Sequence, residues 1–144
     1  MKRLILPVLL VFGISLFSSC AKKSNPPANN TPTASMTASV SGTSWTAKTV
    51  SAIANSVDIT IRGTNADGSY MQIVMPPDVK PGTYSLSQTG FSYEYVTTVT
   101  SYLGNGGAIT ISSYASKEMT ATFSASASGS TTVAITNGSF TALF

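Results

Sequence analysis

The sequence predicts an all-β protein, an antiparallel β-sandwich or barrel-like meander of about eight strands. Three observations carry that expectation. From Met36 onward apolar residues recur at every second position, and no stretch of a dozen residues shows helical spacing. Ser and Thr supply 36 of the 109 residues from Met36 to Phe144, so one face of each strand is wet. Gly, Asn, Asp and Pro cluster between the alternating runs, at the spacing of short strands joined by turns.

Met36 to Val40 is the first run, and Ser41-Gly42 turns the chain into a second, Trp45 to Ala54. Val57, Ile59 and Ile61 alternate with Asp58, Thr60 and Arg62. The turn Asn65-Ala66-Asp67-Gly68 leads to Met71, Ile73 and Met75, which makes the clearest hairpin in the chain. Pro76-Pro77 ends that strand, because proline offers no N–H to a ladder. Pro81-Gly82 turns the chain into Thr83 to Leu86, and Phe91, Tyr93 and Tyr95 share one parity in the next run. Gly104-Asn105-Gly106-Gly107 reads as a turn before Ile109 and Ile111. Ser116-Lys117 and Ser128-Gly129-Ser130 bracket a strand whose inward face is Ala121, Phe123, Ala125 and Ala127. Val133 and Ile135 follow, then Asn137-Gly138 as a turn, then Phe140, Ala142 and Phe144.

The N-terminal part has a different composition. Met1-Lys2-Arg3 is a basic start, and Leu4 to Phe17 is an apolar run of 14 residues, short of the roughly 20 that span a bilayer. Residues 1–19 therefore read as a signal peptide. Ser18-Ser19-Cys20 closes it with two small residues and the sole cysteine, an arrangement that resembles the lipobox of bacterial lipoproteins. The likeness implies lipidation of Cys20, and so a membrane as partner. A lone cysteine cannot form an internal disulfide, and acyl chains at about 0.8 kcal/mol per buried CH₂ anchor a protein without a transmembrane helix. Residues 20–35 carry Pro26, Pro27 and Pro32 among Asn, Ser and Thr, which reads as an extended linker. Residues 36–144 form the single folded domain, a size that buries a core without disulfides.

Charge and composition exclude several classes of function. The domain keeps Lys48, Arg62, Lys80 and Lys117 against Asp58, Asp67, Asp78, Glu94 and Glu118, four minus five, or −1. That balance gives no basic surface for nucleic acid. The chain has no histidine, which removes Ser-His and Cys-His nucleophile pairs and the usual general base. The five carboxylates fall in separate strands and turns, so no catalytic residue, metal site or cofactor is predicted. Asn65-Ala66-Asp67-Gly68 lacks the later acidic ligand of a calcium loop and reads as a turn.

The segment with a candidate surface role is Phe91-Ser92-Tyr93-Glu94-Tyr95, with Tyr102 beyond it. Its aromatics at i, i+2 and i+4 line one face of a strand. Two readings stand: core, since aromatics supply much of a small domain's burial, or a platform for a sugar ring or peptide beside Glu94. Exposure of the row decides between them.

The order of several short motifs resembles an uncharacterised family of small all-β lipoproteins of the Bacteroidota. These are Gly42 with Trp45-Thr46-Ala47, Ile59-Thr60-Ile61-Arg62-Gly63, Pro81-Gly82-Thr83-Tyr84-Ser85-Leu86, Gly106-Gly107-Ala108-Ile109-Thr110-Ile111, Thr122-Phe123-Ser124, and Ile135-Thr136-Asn137-Gly138-Ser139-Phe140. Ala121 departs from the pattern, which has Gly before Thr-Phe. The resemblance implies a small β-domain on an outer-membrane lipoprotein and transfers no activity. The expected function is thus a tethered, non-catalytic structural or binding domain, on the periplasmic face of the outer membrane. The alternative is a module that binds carbohydrate or another small ligand through Phe91 to Tyr102; a glycan or a protein is then the partner.

Overall fold

A computed structural model describes residues 31–144. The expected signal peptide, Cys20 and most of the expected linker lie outside the described residues. Thr31–Phe144 forms one compact unit, which holds the sheet and the core of the described residues.

Ten strands follow in chain order: β1 (Ser35–Val40), β2 (Thr43–Thr46), β3 (Thr49–Ala54), β4 (Ile59–Thr64), β5 (Tyr70–Met75), β6 (Gly82–Ser85), β7 (Ser92–Val96), β8 (Ser101–Ala115), β9 (Glu118–Ser128) and β10 (Thr132–Leu143). They form one antiparallel sheet in the order β2-β1-β10-β9-β8-β7-β5-β4-β3, with β6 added against β8. The two ends of that path, β2 and β3, are neighbours in the chain. At the step between them the N–H of Ala47 donates to the carbonyl of Met36 in β1 (2.9 Å), and the N–H of Lys48 donates to that of Thr64 in β4 (2.8 Å). Consecutive residues thus bond to opposite edges of the sheet, so the sheet curls into a barrel-like meander. The path has nine strands, and β2 with β3 forms one bent strand at the seam, which leaves eight positions around the curl.

The curl needs a close approach at the seam. A Cβ on Gly63 in β4 would stand 2.7 Å from Met36 Sδ and 3.1 Å from Ala47 Cβ, so only glycine lets β4 and β1 meet there. The interior is filled by inward residues of every strand in the curl. Ile59, Ile61, Ile73 and Ile109 are fully buried, and Met36, Met71, Met75 and Met119 occupy the same core. Unbranched methionine suits the irregular gaps left by a curled sheet.

Two expected turns are instead strand interior. Gly104 to Gly107 lies within β8, where the register shifts between Gly104 and Gly106 and β8 changes partner from β7 to β6. Any Cβ at Gly107 would collide with the β9 backbone at Ser124 and Ala125, so these glycines serve a sharp bend in a continuous strand rather than a reversal. Asn137-Gly138 lies within β10, where the register against β9 shifts between Ile135 and Gly138 and Asn137 takes a left-handed φ of 51°. A Gly or Asn with positive φ is as much a bulge signal as a turn signal, and the apolar parity resumed two residues later in both cases. The turns at Ser41-Gly42 and Ser116-Lys117 are true two-residue reversals, with positive φ at both central residues.

Candidate functional site

The aromatic segment faces the core. Phe91 and Tyr95 are each 8 % exposed and Tyr93 is 2 % exposed. Phe91 stacks on Tyr84 with ring centroids 5.1 Å apart, and Tyr93 packs on Phe123 at 6.1 Å. Tyr102, paired directly with Tyr95 across β7 and β8, stacks on it at 5.9 Å and is half-buried. The platform expected as an alternative is therefore corrected: these rings supply burial for the β7 side of the curl and leave no flat aromatic surface. Burial pushes the hydroxyl of Tyr93 far above its ordinary range, and that of Tyr95 upward too, with the Asp67 charge adding to the effect on Tyr95.

Glu94 points to the opposite face of β7 and is held in place. It accepts from the Tyr70 hydroxyl (3.3 Å) and the Ser101 hydroxyl (2.8 Å), while the Arg62 guanidinium lies 3.5 Å above the Tyr70 ring. This is a cross-strand tie over β4, β5, β7 and β8, and it occupies both carboxylate oxygens. Asp58, Asp67 and Asp78 sit in three different loops and Glu118 begins β9. Among the described residues no cluster of three or more Cys, Asp or Glu side chains is placed to hold a metal ion.

An open trough that sequence reasoning missed, about 380 Å³ in volume, lies on the outer face of β8, β9 and β10. Its lining joins the polar Thr110, Thr122, Ser124, Asn137 and Ser139 to Ala108, Phe123 and Gly138, with no charged side chain. The β10 bulge shapes it. Thr136 and Asn137 lie between the paired residues Ile135 and Gly138, opposite Ser124 alone on β9, and Gly138 leaves room for the Phe123 ring of its partner. Through the trough passes a row of exposed hydroxyl residues in direct register over six strands: Thr83, Thr110, Thr122, Ser139, Thr37 and Thr46. Thr83 and Thr110 share a hydrogen bond of 2.9 Å, as do Thr37 and Ser139 at 3.1 Å. The wet parity of each strand was legible. The alignment of six strands was not, because register depends on the bulges at Gly104–Gly106, Ile111–Ser113 and Ile135–Gly138.

No curated protein and no solved structure matches the chain at a significant level. A family model described as a domain of unknown function, DUF6252, matches residues 32–143. Those bounds coincide with the described sheet, from just before β1 to the last residue of β10. The chain belongs to the DUF6252 family.

Proposed function

We propose that the protein is a non-catalytic lipoprotein domain of the cell envelope, tethered through a lipid on Cys20 and serving a structural or binding role. The observation that carries the reading is the placement of the sole cysteine relative to the fold. Cys20 follows an apolar run too short to span a bilayer, and β1 begins only at Ser35, so a proline-containing spacer separates the proposed anchor from a self-contained sheet. Two or three acyl chains then hold the domain at a membrane. The domain charge of −1 favours neither nucleic acid nor attraction to anionic lipid headgroups, which leaves Lys22 and Lys23 to lie against the headgroups. The absence of an acidic residue after Cys20 favours the outer membrane, periplasmic face. The dispersed carboxylates and the absence of histidine from the sequence argue against hydrolysis.

The test is intact-mass and N-terminal analysis of the full chain expressed in a diderm bacterium, with Cys20→Ser alongside. The expected product begins at a diacylated or triacylated Cys20 and fractionates with the outer membrane, and the variant is released from it. An unmodified Cys20, or a variant that stays with the membrane, overturns the reading.

A further inference from the structure

We propose that the trough over β8, β9 and β10 is a binding site for a neutral saccharide. This goes beyond the tethered-domain reading and does not depend on lipidation of Cys20.

The lining sets the chemical class. With no charged side chain among the lining residues, an anionic or cationic ligand would lose hydration without gaining a counter-charge. An apolar ligand would cover Thr122, Ser124 and Asn137 and strand their polar groups. What the trough offers is hydroxyls, which both donate and accept, and a carboxamide, which presents two donors and an acceptor. A neutral polyhydroxylated molecule matches that set group for group. The hydroxyls of Thr110 and Ser139 are already engaged with Thr83 and Thr37, which fixes them as two edges of the trough. Between them Thr122 and Ser124, two residues apart on the outer face of β9, have no side-chain hydrogen bond among the described residues and remain open to a ligand.

The bulge supplies the third group. Asn137 is held at φ 51°, a conformation that asparagine tolerates better than most residues, and it lines the trough beside Gly138. Ala108 puts only a methyl group on the trough floor, while the bare position of Gly138 faces inward and makes room for the buried Phe123 ring. Curvature limits the site. The hydroxyl row spans six strands, but a rigid ligand on a curled sheet touches only adjacent strands, and the trough lies over three of them. With no aromatic ring facing outward here, binding rests on hydrogen bonds and is weak and fast.

The experiment is an amide-resolved NMR titration of the full chain with three neutral oligosaccharides, one each built from glucose, mannose and N-acetylglucosamine. At least one is expected to give saturable shifts at Thr122, Ser124, Asn137, Gly138 and Ser139. Thr122→Val with Ser124→Ala, both tolerated on an exposed strand face, should weaken that binding by about tenfold or more. Asn137→Gly keeps the bulge conformation, removes the amide, and should weaken it independently. No saturable shift with any of the three sugars overturns the proposal. So do shifts confined to another face, and binding that survives both variants.

Discussion

Trp45 donates its indole N–H to the hydroxyl of Ser69 at 3.1 Å, and the Ser69 hydroxyl in turn donates to Asp67 Oδ1 at 2.6 Å. Trp45 lies on β2 and Ser69 immediately precedes β5, so this chain of two bonds ties the edge strand β2 to the turn between β4 and β5 across the seam. Ser69 is the one buried polar residue among the described residues, and its position is explained by having a partner on each side. Ser69→Ala leaves the buried indole N–H without an acceptor. It should cost about 1–3 kcal/mol in urea unfolding. Trp45 is the only tryptophan, so its fluorescence reports the transition directly. An unchanged midpoint would mean that the tie contributes nothing.

The same turn predicts a pH dependence. Hydrogen bonds from the Ser69 hydroxyl and backbone N–H hold Asp67 below the ordinary carboxylate value of 3.8. The unfolded chain therefore takes up the proton first as the solution is acidified. The stabilisation is complete above 3.8 and is lost as pH falls through the lower, folded value. Asp67→Asn should unfold with a shallower dependence on pH in that acid range than the parent chain. Identical slopes would assign the acid sensitivity to other carboxylates.

Closure at the seam makes Gly63 the most constrained position in β4. Alanine there must displace Met36 and Ala47, whose β-carbons each lie 3.1 Å from the new methyl. A cost of about 1–3 kcal/mol is expected, as for other overpacked sites. The cost should shrink in a Met36→Ala background, because the clash partner is then truncated. Additive losses in the double variant would show that the two residues do not meet.

The sequence made the strands legible wherever inward and outward residues simply alternated, as in Ile59 to Arg62 and Met119 to Ser128, whereas Val57, expected on the same strand face as Ile59, lies before β4 and is exposed. It made the curl illegible, because Ala47-Lys48 has no signature of its own; its role comes from bonding to Met36 on one side and Thr64 on the other. At Gly104 to Gly107 and at Asn137-Gly138 the sequence does not separate a bulge from a turn, since the two share a backbone conformation and differ only in whether the chain then reverses. Those bulges set the register that aligns Thr110, Thr122 and Ser139. The trough was hidden for the same reason.

Tyr93 gives the least intuitive expectation. Its ring is 2 % exposed and packs on Phe123, yet its hydroxyl is buried with no hydrogen-bond partner among the described residues. A ring so placed contributes area, and Tyr93→Ala should cost about 3–5 kcal/mol through the cavity it leaves. The hydroxyl works the other way, because it gives up its bonds to water and receives none in return. Removing only that oxygen keeps the ring and its contact with Phe123. Tyr93→Phe should therefore raise stability, by about 1 kcal/mol, with the spectrum of the fold unchanged. Urea unfolding of the parent and the two variants separates these effects in one series. If Tyr93→Phe were destabilising instead, the hydroxyl would have to be satisfied in solution by a buried water, and the core around β7 would be wetter than its packing implies.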